Sequence, residues 1–63
     1  MNISTRDQAK EALDKCNSQI LTCERAMAEA VAFGQEDYLA QLLVYRIDLA
    51  GVKGKLEYML AVL

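Results

Sequence analysis

The sequence predicts an all-α protein: an antiparallel two-helix hairpin, with helices over about residues 5–33 and 36–62, that dimerises into a four-helix bundle. Three observations predict it. Proline is absent from the 63 residues and only three glycines occur, while alanine and leucine, which lose little side-chain entropy in a helix, supply much of the apolar content. Apolar residues recur at alternating gaps of four and three through both halves of the chain, the spacing of helices packed lengthwise. Gly34 stands where the two runs meet. No β-branched run with period-two alternation competes.

The first helix can open at Ser4 or Thr5, because "STRD" and "TRDQ" both resemble a capping box. Its apolar residues are then Ala9, Leu13, Cys16, Ile20, Cys23, Met27 and Ala30, and the opposite side carries Asp7, Glu11, Asp14, Lys15, Arg25 and Glu29. Glu11 with Lys15 and Arg25 with Glu29 are spaced to support the helix, each by roughly 0.2–0.5 kcal/mol. The helix should stop near Phe33, with Gly34 in the left-handed conformation that ends helices cheaply.

Glu36 and Asp37 follow, suited to a first turn where acidic groups complement the helix dipole. So short a connection folds the second helix back antiparallel to the first. One seam of this helix reads Tyr38, Leu42, Tyr45, Leu49, Val52, Leu56, Met59 and Leu63. It is expected to meet Leu13, Cys16, Ile20, Cys23 and Met27. At about 100° per residue a second apolar group falls nearly opposite: Leu43, Ile47, Ala50, Gly54 and Ala61, flanked by Ala40, Val44, Gly51 and Tyr58. A helix apolar on two sides is normally buried on two sides.

The expected dimer or partner interface is therefore Leu43, Val44, Ile47, Ala50, Gly51, Gly54, Tyr58 and Ala61. Gly51 and Gly54 each weaken a helix by about 1 kcal/mol relative to alanine. Small residues there would let another helix approach closely, and the new dispersion contacts would offset that loss. The seam passes both glycines without losing phase, which predicts an unbroken helix. The alternative is a break that leaves "KLEYMLAVL" as a third element.

Composition bounds the function. The chain makes one domain, residues 1–63, and one this short buries only about 60% of its unfolded surface. Self-association is one remedy for so small a core. Seven basic and nine acidic residues give a net charge of −2. The signs are interspersed, so no basic tract awaits a phosphate backbone and nucleic acid is not the expected partner. Histidine is absent, which removes the commonest metal ligand and proton shuttle. Cys16 and Cys23 lie about 10 Å apart along a helix, too far for a disulfide within it, and are expected as reduced core residues, with an intersubunit bridge or a redox sensor as the alternative. No cofactor or metal is expected. "MNISTRDQAK" lacks the apolar core of a secretory signal. Arg46, Asp48, Lys53, Lys55 and Glu57 interrupt the greasiest stretch, so no membrane span is expected. A soluble, cytoplasmic protein is the expectation.

No phosphate loop, Ser–His or Cys–His pair, or ligand cluster appears, and no enzyme is expected. "LLVYRIDLA", Leu42 to Ala50, resembles a run in the long helix of the all-helical chorismate mutase family. That resemblance implies a substrate-binding role for Arg46 alone, since Glu57 stands where the family places a lysine. The hairpin plan is similar to that of Rop-type dimers, which grip paired RNA loops, and this implies an RNA-binding regulator as an alternative. Here Arg6, Lys10, Lys15 and Arg25 are scattered among acids.

In size and helical character the chain resembles the small early-region accessory proteins of lambda-type temperate phages. That resemblance implies a regulatory homodimer of phage or mobile-element origin that docks on host or phage proteins in the bacterial cytoplasm. The docking candidates are Leu21 on the first helix and Leu39, Leu43, Val44, Ile47 and Tyr58 on the second.

Overall fold

Thr5 opens the first helix. Its extended backbone precedes the helix, and its Oγ1 accepts a hydrogen bond from the Gln8 backbone N–H at 3.2 Å, which satisfies one of the helix's orphan donors. The structure is a computed structural model describing residues 5–63. Ser4, the other candidate for this cap, lies outside the described residues. Helix α1 runs Arg6–Ala32 and α2 runs Glu36–Val62, within a residue of the expected limits.

The turn between them is built from backbone hydrogen bonds. Gln35 N–H donates to the Ala30 carbonyl at 2.8 Å and Gly34 N–H to Val31 at 3.2 Å, the paired closure that follows a left-handed residue. Gly34 supplies that conformation, with φ of 67°. Glu36 and Asp37 occupy the first turn of α2, and the Gln35 side chain makes no capping bond.

α2 continues unbroken through Gly51 and Gly54, so the third-element alternative is overturned. Hydrogen bonding of the helix backbone holds across both glycines because the seam residues on either side stay anchored: Leu49 and Leu56 are both buried.

The helices pack as a hairpin of 43 × 17 × 15 Å. Its core is Cys16, Ile20, Cys23 and Ala30 of α1 against Leu42, Leu49 and Leu56 of α2. Ala12, Leu13, Ala26, Met27, Leu39 and Met59 pack at the margins. The register is fixed by two contacts, Cys16 with Leu49 and Cys23 with Leu42. The same register puts the buried Ala9 level with Leu56. Each layer thus sets a small residue of α1 against a leucine of α2, and small side chains permit a short interaxial distance.

Half of the expected α2 seam is corrected. Leu42, Leu49 and Leu56 are buried and Met59 is partly buried, but Tyr38, Tyr45 and Val52 remain 48, 46 and 44% exposed, and Leu63 is exposed too. The contact line alternates the three leucines with Leu39, Arg46, Lys53 and Leu60, all half-buried. Both lines share the leucines and both keep a four–three rhythm. Arg46 and Lys53 can occupy the inner margin because long cationic side chains lay their stems on apolar surface and keep their charges in water.

Among the described residues the ion pair that forms is Arg46–Glu24, at 3.4 Å between the helices. The spaced pairs Glu11–Lys15 and Arg25–Glu29 do not close to that range.

Candidate interaction surface

The Arg46–Glu24 bridge marks one edge of the hairpin and orients the rest of α2. Going round that helix at about 100° per residue, Tyr38, Tyr45, Val52 and Met59 fall on the opposite edge of the seam. Ala12 and Ala26 of α1 are partly buried against the core and lie on the same side of the seam by helical period. The sequence pattern assigns all four α2 residues to the core; Met59 does pack against it, whereas Tyr38, Tyr45 and Val52 are exposed. In the structure they form an apolar flank that the sequence pattern did not single out as a surface.

The second face lies farther round, turned away from α1. Leu43, Val44, Ile47, Ala50, Gly51, Gly54, Tyr58 and Ala61 are all exposed there, with Ile47 at 69% and Tyr58 at 70%. No charged residue interrupts this group. Asp48 and Lys55 line one margin, and Glu57 lies at the other. Contiguous apolar patches are uncommon on the surfaces of monomeric soluble proteins, which makes this group the candidate interaction surface. A Cβ added at Gly51 or Gly54 would meet no atom within 4 Å, so the hairpin itself places no demand on either glycine.

Of the other docking candidates, Leu39 packs against the core and is only partly exposed. Leu21 is exposed on the outer side of α1, where its helical neighbours Asn17, Ser18, Glu24 and Arg25 are polar. An isolated exposed leucine of that sort is ordinary.

The remaining polar contacts tie the two helices together. Cys16 and Cys23 are free and buried, and their thiols donate to the carbonyl oxygens of Leu49 at 3.3 Å and Leu42 at 3.4 Å. Spacing alone marked them as small core residues; their donor role depends on how closely the α2 backbone approaches. Arg6 donates to the Leu60 carbonyl at 2.8 Å, a cation at the C-terminal end of α2, where the helix dipole favours one. Among the described residues no group of three His, Cys, Asp or Glu side chains could hold a metal ion.

One open hollow lies at the connection, lined by Gly34, Gln35, Glu36, Asp37 and Tyr38. Another lies on α1 alone, beside Glu11, Asp14, Lys15, Ser18 and Gln19. Neither is walled by both helices. No described helix is long and apolar enough to cross a membrane. No family model, curated protein or solved structure matches the chain.

Proposed function

We propose that the protein is a non-enzymatic homodimer that acts by protein–protein contact, paired through the outer face of α2. One observation carries this reading: α2 is apolar on two sides, and α1 buries only Leu42, Leu49 and Leu56. Among the described residues no large side chain is fully buried, which leaves a lone hairpin with a thin core.

Size and helical character support a regulatory or accessory role of the kind found among small phage early-region proteins, with host or phage proteins as targets. In a dimer closed over the outer face, the Tyr38, Tyr45 and Val52 flank stays open and is the candidate for that second contact. Size-exclusion chromatography with light scattering tests self-association directly. The expected mass is that of two chains at micromolar concentration, and Ile47→Asp should reduce it to one. A parent chain that is monomeric and fully helical under those conditions refutes the proposal.

A further inference from the structure

Resting on that self-association, we propose a specific pairing: two copies cross antiparallel on the outer faces of α2, about a twofold axis level with Ala50 and Gly51, with each Ile47 seated over the partner's Gly54. The axis sits close to the middle of α2, Glu36–Val62, so the two helices overlap along nearly their whole length. A twofold interface must be self-complementary. In this register Ile47 meets Gly54, Leu43 meets Tyr58, Ala40 meets Ala61, and the smallest pair, Ala50 with Gly51, lies at the crossing.

Shape selects the antiparallel arrangement. In a parallel pair Ile47 would face Ile47 and Gly54 would face Gly54, crowding one layer and leaving a void at the other. Close-packed interiors tolerate neither. Because nothing within the chain lies within 4 Å of a Cβ at Gly51 or Gly54, the notch they make opens outward. In the antiparallel register the partner's Ile47 falls over it. The helix dipoles also oppose each other favourably in this orientation.

Charge selects the same register. Asp48 and Lys55 share one margin of the outer face, and an antiparallel twofold lays that margin against its own copy. Asp48 then lies within two residues of the partner's Lys55, about 3 Å along the helix axis. Arg46 lies on the inner contact line with Glu24, so Asp48 with Lys55 is the charge pair this register brings together. In the parallel arrangement opposite margins meet, and Asp48 would find no basic residue of the partner's outer face at its level.

The test is sedimentation equilibrium of the full chain and four variants, with circular dichroism to confirm that each remains helical. Gly54→Leu fills the notch without touching the hairpin core and is expected to weaken the dimer at least roughly tenfold while helicity holds or rises. Asp48→Lys and Lys55→Asp are each expected to weaken it by roughly fivefold. The double exchange is expected to restore parental affinity. A helical Gly54→Leu chain that dimerises as tightly as the parent overturns this pairing but leaves self-association standing. A double exchange weaker than either single one does the same. A monomeric parent overturns the self-association reading itself.

Discussion

The Cys16 thiol donates to the Leu49 carbonyl oxygen at 3.3 Å, and one heptad later Cys23 makes the same contact with Leu42 at 3.4 Å. Each thiol therefore lies against the backbone of the facing helix rather than only against its side chains. The α1 positions that face the three leucines, Ala9, Cys16 and Cys23, are all small, and this is what lets α2 approach so closely.

Close approach predicts an inverted response to hydrophobicity. Cys16→Ala removes one weak donor and little volume, and should cost about 1 kcal/mol. Cys16→Leu adds apolar surface yet must push the helices apart, and should cost more, about 1–3 kcal/mol. Urea unfolding of both variants orders them. A Cys16→Leu chain more stable than the parent would contradict the close packing.

The corrected seam gives a second contrast. Leu49 is buried, so Leu49→Ala should destabilise by about 2–5 kcal/mol. Tyr45 is the next seam residue by sequence pattern but is half exposed, and Tyr45→Ala should cost less than about 1 kcal/mol. The measurement is denaturation at concentrations where the chain is monomeric. Equal losses at the two positions would restore the seam read from the sequence.

Glycine to alanine should act with opposite signs at two sites. Gly34 has φ of 67°, where an L side chain costs about 1–2 kcal/mol, so Gly34→Ala should destabilise the hairpin. Gly51 sits in ordinary helix with open space around it, and Gly51→Ala should stabilise the isolated hairpin by up to about 1 kcal/mol. Thermal melts of the dilute chain read both signs at once.

Burial also sets the reactivity of the cysteines. Cys16 and Cys23 are each 3% exposed, so a thiol reagent reaches them only when the helices separate. Labelling should be slow in buffer, fast in urea, and accelerated by Leu49→Ala about tenfold for each 1.4 kcal/mol of stability lost. Rapid labelling of the folded parent would show that the interhelical contacts open without unfolding.

Thr5 and Arg46 separate interactions of similar length and different worth. Thr5→Ala removes a cap and should cost about 1 kcal/mol. Arg46→Ala breaks a 3.4 Å pair between partly exposed groups and should cost less than about 1 kcal/mol, with the difference shrinking further in salt. A larger loss at Arg46 would mean that its stem on the seam, not its charge, is what stabilises the hairpin.

The sequence by itself determined the two helices, their ends and the turn. These follow from local causes: an oxygen-bearing cap at Ser4 or Thr5, the left-handed Gly34 and the acidic first turn at Glu36 and Asp37. It also determined that α2 carries more apolar surface than one neighbour can cover, since that is a matter of count and period. Only the tertiary structure decided which residues of α2 face α1. Two four–three lines share Leu42, Leu49 and Leu56, and composition favours the line through Tyr38, Tyr45 and Val52. The helices instead rotate toward Leu39, Arg46, Lys53 and Leu60, because small residues on α1 bring the backbones close while long cationic stems still reach water from the margin. That rotation, invisible to a pattern that scores lysine and arginine as polar, is what turns two tyrosines and a valine outward.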